Sequence, residues 1–67
     1  MIPFDILIPG TTHVALRGLN EEIFLVTDVV EHPDGVNHWV QLDKHCPWSV
    51  SDNFVAFERI RAVFESK

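Results

Sequence analysis

The chain has no tyrosine, one cysteine, one methionine, three glycines and only five basic residues among its 67. A single cysteine cannot close an internal disulfide, and it excludes a zinc site built from cysteine pairs. Stability must then come from packing, and a reducing compartment is expected. Five Lys and Arg against ten Asp and Glu leave a formal net charge of −5 and a pI near 5.1. Proteins that read nucleic acid present a basic face, and this chain has too few cations for a large one, so direct nucleic-acid binding is not expected. Three scattered glycines do not make a phosphate loop or a dinucleotide fingerprint. Long apolar runs are lacking too. The apolar start, residues 1–8, carries Pro3 and Asp5 and has no basic flank. Neither a leader peptide nor a spanning helix is expected there, which makes the cytoplasm the expected location.

What is present is a foldable composition. Hydrophobic residues make up 46% of the chain, which excludes a disordered tail, and the charged fraction of 22% is ordinary for a globular domain. No repeat or low-complexity run interrupts it, so residues 1–67 are expected to form one small domain.

Alternation dominates the first fifty residues. Ile2, Phe4, Ile6 and Ile8 share one side with Leu7 on the other, which predicts an extended segment ended by the Pro9-Gly10 turn signal. Thr12, Val14 and Leu16 alternate with His13, Ala15 and Arg17, predicting a strand over 11–17. After the break at Gly18, residues 22–30 place Ile23, Leu25, Thr27 and Val29 on one face and Phe24, Val26 and Val30 on the other. Apolar residues on both faces predict a central strand covered on both sides, one side by the core and the other by a second layer or another copy. His32-Pro33-Asp34-Gly35 is a turn signal, with Gly35 expected at φ > 0, and the alternation of Val36, His38, Val40 and Leu42 after it predicts the second strand of a hairpin. Residues 48–51 read as a short strand.

The last segment fits two periods. Phe54, Phe57, Ile60 and Phe64 have helical spacing, with Ser51 or Asp52 available as a cap, whereas Ile60, Ala62 and Phe64 alternate as in a strand. The reading adopted is a helical turn over 52–57 and a final strand from Glu58. Its rival is an antiparallel sheet plus a C-terminal helix, an α+β fold. About five short strands with tight turns predict an all-β domain, a small SH3-like barrel with a short helical turn before the last strand.

Residues 37–60, and in particular Val55-Ala56-Phe57-Glu58-Arg59-Ile60, resemble the type II, plasmid- and cassette-borne dihydrofolate reductases. Those chains are SH3-like barrels of similar length that end in a comparable Val-x-x-Leu-Glu-Arg-Ile stretch. The resemblance implies a barrel that self-associates. It does not carry the activity over. The family's pore is lined by a Val-Gln-Ile-Tyr motif from four subunits, and residues 49–53 here read Ser-Val-Ser-Asp-Asn.

The remaining residues offer little chemistry. Asp43, His45 and Cys46 contain ligand types, yet neighbours in a chain rarely converge on one ion, so no metal and no cofactor is expected. His32 and His38 flank the hairpin turn. Cys46 beside His45 is not a nucleophile–base pair, and its Cys-Pro-Trp setting reads as structural, leaving no catalytic residue to assign. Asp28, inside the most apolar strand, faces solvent or pairs with Arg17, Arg59 or Arg61.

Tryptophan is enriched at interface centres, so Trp39 and Trp48, with Gln41 beside Trp39, are the candidate binding residues. Phe24, Val26, Val30, Phe57 and Phe64 are the candidate self-association residues. One small core cannot absorb both apolar faces of residues 22–30, and the excess would exceed the patch a soluble monomer usually shows. The expected protein is a self-associating module, a dimer or tetramer, that binds a protein partner without catalysis. An inhibitor or nucleic-acid mimic from a mobile element is a second reading; it needs Asp5, Glu21, Glu22, Glu31 and Asp34 on one face. An enzyme with its site between subunits is a third, disfavoured by the missing Gln and Tyr.

Overall fold

The computed structural model of the chain describes residues 4–34 and 38–64. They form β1 (His13–Leu16), β2 (Leu19–Val30), β3 (Trp39–Leu42), β4 (Phe54–Ala56) and β5 (Ile60–Phe64), with 3₁₀ turns at Phe4–Ile6 and Phe57–Arg59. The strands make one antiparallel sheet in the order β4-β3-β2-β1-β5. The fold is all-β, and the α+β rival is not formed. Asp52 and Asn53 take left-handed backbone angles, φ 48° and 64°, which interrupt any helix. The next three residues then bond into the ladder beside β3. The expected turn-then-strand ending is present, with its turn at Phe57–Arg59, later in the chain than the sequence placed it.

The long strand β2 organises the sheet. Its first half pairs with β1, through His13↔Leu25 and Val14↔Phe24, and its second half pairs with β3, through Asp28↔Gln41, Val29↔Val40 and Val30↔Trp39. The sheet therefore has two halves sharing one strand. Among the described residues no ladder joins the two edges, β4 and β5, so the sheet stays open and the expected barrel closure is not completed by hydrogen bonds. The short turn Phe57–Arg59 instead carries the chain from one edge to the other.

Register shifts decide which side chains enter the core. Between Val26↔Leu42 and Asp28↔Gln41 the strand β2 advances two residues while β3 advances one, leaving Thr27 as the extra residue of a bulge. Alternation changes phase there. Phe24 and Val26, both 0% exposed, point inward before the bulge, and Val29 packs against the same core after it. Val14, Leu16, Val40, Leu42, Val55 and Ile60 complete the interior with Leu7 and Cys46. This overturns the sequence-based placing of Phe24 and Val26 on a self-association seam: they are the core of a single chain. Phe57 is also packed, half-buried, against that core.

The predicted N-terminal strand is also corrected. Leu7 is buried while Ile6 and Ile8 are exposed, the reverse of the expected facing, and Phe4–Ile6 is a 3₁₀ turn. A strand needs a partner's ladder, and here a side chain takes that place. The buried Thr12 Oγ1 accepts from Ile8 N at 2.9 Å and donates to Ile6 O at 3.4 Å. The Pro9-Gly10 turn forms as predicted, with Gly10 N donating to Val26 O at 2.8 Å. Thr12→Val keeps the shape and removes both bonds, leaving the Ile8 amide without its acceptor, so it should cost about 1–3 kcal/mol in urea unfolding.

β2 and β3 form the predicted antiparallel pair. The connection turns at Pro33-Asp34. Gly35, Val36 and Asn37, and with them the expected φ of Gly35, lie outside the described residues. Residues 48–51 are turn and bend, not a strand, and Val50 is 66% exposed. No helix among the described residues is long and apolar enough to cross a membrane.

Candidate functional site

The bulge at Thr27 also decides what the outer face of the sheet carries. On the β1–β2–β5 half, His13 lies between Leu25 and Phe64 in one row, and Ala15 pairs with Ala62 in the next, with Ile23 beside them on the same face of β2. Arg61 is the extra residue of a second bulge, since β5 advances from Ala62 to Ile60 while β1 advances one residue. Ile23 is 46% exposed and Phe64 44% exposed; His13, Leu25 and Ala62 are half-buried. Of the candidate self-association residues, Phe64 therefore lies on an outer face, together with Ile23 and Leu25, which the sequence had assigned inward.

On the β2–β3–β4 half, Val30, Trp39 and Ala56 form one row, and Asp28, Gln41 and Phe54 the next. Their neighbours Val29, Val40 and Val55 face the core. The structure thus places Trp39 and Gln41 on one face of the sheet, as the alternation predicted, and sets Val30 in the row of Trp39. Val30 is 42% exposed. Gln41 is committed on both ends of its amide. Its Nε2 donates to Asp52 O at 2.9 Å, and its Oε1 accepts from Thr27 Oγ1 at 3.1 Å. It ties the left-handed turn at Asp52-Asn53 to the bulge and so fixes where β4 begins.

Trp48 does not join Trp39. It packs against the core, its ring carries the Arg59 guanidinium 4.6 Å from the centroid, and Gly18 lies against it. Arg17 locks the same corner, with its amide donating to Arg59 O at 2.9 Å and its Nε to Glu58 O at 3.1 Å. Trp48 is thus a clasp between the β1–β2 turn and the Phe57–Arg59 turn, a role in the fold.

Cys46 is buried, with its Sγ 3.4 Å from Ser49 Oγ, and its amide donates to that same hydroxyl at 3.1 Å. It packs as a small hydrophobe, while its neighbour His45 is exposed. His32 Nδ1 lies 3.2 Å from Asp34 Oδ1, and His38 packs edge-to-face on Phe57 with centroids 6.3 Å apart, so these two histidines have different partners. Asp28 is exposed and accepts from Val29 N at 2.9 Å. Among the described residues no three His, Cys, Asp or Glu side chains stand together as metal ligands would. The carboxylates needed for a nucleic-acid mimic are divided between Glu21 and Glu22 at the start of β2 and Glu31 and Asp34 beyond its end.

No family model, no curated protein and no solved structure matches the chain. The functional reading rests on the two outer faces.

Proposed function

We propose that this protein is a small SH3-like binding module of the cytoplasm that self-associates and acts by docking to a protein partner, without catalysis. The strand order, with a 3₁₀ turn between β4 and β5, supports the SH3-like reading. The observation that carries self-association is the outer face of β1, β2 and β5, where Ile23 and Phe64 remain nearly half exposed around His13 and Leu25. A two-fold axis along β1 lays β5 of one copy over β2 of the other. In that arrangement the half-exposed Phe64 and Ile23 of one copy would be covered by the same face of the other, as a closed dimer requires.

Ile23→Asp places a carboxylate within that patch and should convert the oligomer to monomer, with its unfolding midpoint in urea little changed once dissociated. Val50→Asp, at a more exposed position (66%) outside that patch, should leave the mass unchanged. Sedimentation of both variants at one concentration tests the reading; an Ile23→Asp protein of undiminished mass contradicts it.

A further inference from the structure

The second outer face has a chemistry of its own. Charge is divided unevenly along the chain: residues 18–58 hold eight carboxylates and one cation, Lys44, while the remainder holds two carboxylates and four cations. Lys44 is turned toward β2, its Nζ 4.0 Å from Glu22 and 5.2 Å from the centroid of Phe24. The fold converts this division into two poles. Arg17, Arg59 and Arg61 sit at the β1–β5 side. The β3 and β4 strands and the second half of β2 hold no Lys or Arg.

On this cation-free half, the partly exposed row Val30–Trp39–Ala56 runs beside Asp28, Gln41 and Phe54. Asp28, exposed, is the carboxylate within these rows, and the backbone of Asp52 is held beside them by Gln41. An indole on a face that holds Asp28 and no cation favours cations twice over, through the ring's negative face and through the local charge. The flat apolar row supplies the contact area that a charged ligand alone would not use.

We infer that the Trp39 face of β2, β3 and β4 is a docking surface for a cationic, apolar-bearing polypeptide segment of a partner protein. This rests on the docking function proposed above and specifies the partner's chemistry: lysine or arginine side chains over Trp39 and against Asp28, with aliphatic side chains on Val30, Ala56 and Phe54. It uses a face separate from the self-association patch, so a dimer presents two such surfaces.

The test uses the full chain and two short synthetic peptides, one alternating lysine with leucine and one alternating glutamate with leucine, titrated calorimetrically. The lysine peptide should bind and the glutamate peptide should not. Trp39→Ala should weaken binding about tenfold or more, the size of a central interface residue. Asp28→Lys, which leaves every apolar residue in place, should weaken it several-fold and guards against a Trp39 variant that folds poorly. Raising salt from about 50 to about 300 mM should weaken it as well, since exposed charges are screened. Equal binding of the two peptides, undiminished binding by both variants, or no binding of the lysine peptide overturns the inference. So does a fall in the mass of the free protein on Trp39→Ala, which would mean that a second copy covers this face. None of these results depends on Ile23→Asp, so self-association stands or falls separately.

Discussion

Phe24→Asp should unfold this protein, while Ile23→Asp, one residue away, should leave it folded. Phe24 is 0% exposed, pairs across the ladder with Val14, and is among the largest side chains that are fully buried. Removing such a ring as Phe24→Ala costs about 3–5 kcal/mol through lost transfer energy and the cavity left behind. A chain of 67 residues is expected to have only about 3–10 kcal/mol of stability in total. A carboxylate at the same place is buried in an apolar core and adds a desolvation penalty that the exposed Lys44, 5.2 Å from the ring centroid, offsets only in part, so the aspartate variant should have no folded baseline at all. Circular dichroism separates the two variants directly. Wild-type strand signal from Phe24→Asp would mean that the inward and outward faces of β2 are reversed.

The second large effect should come from Gly18→Val. Gly18 closes the tight β1–β2 turn at φ +86°, where a β-branched residue is strained, at about 1–3 kcal/mol. A Cβ there would also sit 3.0 Å from the Trp48 ring. That ring cannot easily retreat, because Arg59 covers it and the core lies behind it. The two costs add at one site, so the loss should be about 3 kcal/mol or more, approaching the whole stability of a small domain. Gly10 separates the terms: its φ of +83° is similar, but nothing lies within 4 Å of an added Cβ. Gly10→Ala should therefore show only the backbone cost, about 1–2 kcal/mol. Urea unfolding of the pair measures the difference, and equal losses at Gly10→Ala and Gly18→Val would remove Trp48 from its role as a clasp.

These effects mark where the sequence was legible. Thr12, Val14 and Leu16 read as one face of a strand and all three are buried, because the register shifts beside Leu16 put their extra residues on β2 and β5 and leave the alternation of β1 intact. Pro9-Gly10 and the β2–β3 antiparallel pairing were likewise readable from local turn chemistry and alternation. The faces of β2 were not. An amphipathic period of two assigns faces only up to a choice of which set is inside, and both sets here are apolar. The bulge at Thr27 then moves Val29 inward and Val30 outward, and no residue type announces it. Leu7 was misplaced for a related reason: alternation predicts a strand only where a ladder exists to receive it, and Thr12 satisfies that backbone instead.

The candidate sites divide along the same line. The shared face of Trp39 and Gln41 was legible because they alternate on an undisturbed strand. The outward facing of Ile23 and Leu25 was not legible, because the sequence had given their face to the core. Trp48 was readable as a large ring near a loop, but its clasp depends on Gly18 and Arg59, which the fold brings from distant parts of the chain. The separation of charge was present in the sequence from the start and acquires meaning only once the sheet order sets β3 and β4 apart from β1 and β5.

Light scattering coupled to size exclusion, on the unmodified chain at micromolar concentration, tests the central claim most directly. The outer face of β1, β2 and β5 predicts a mass of at least twice 7.7 kDa, falling to the monomer value on Ile23→Asp. A clean 7.7 kDa monomer for the wild-type chain would contradict it.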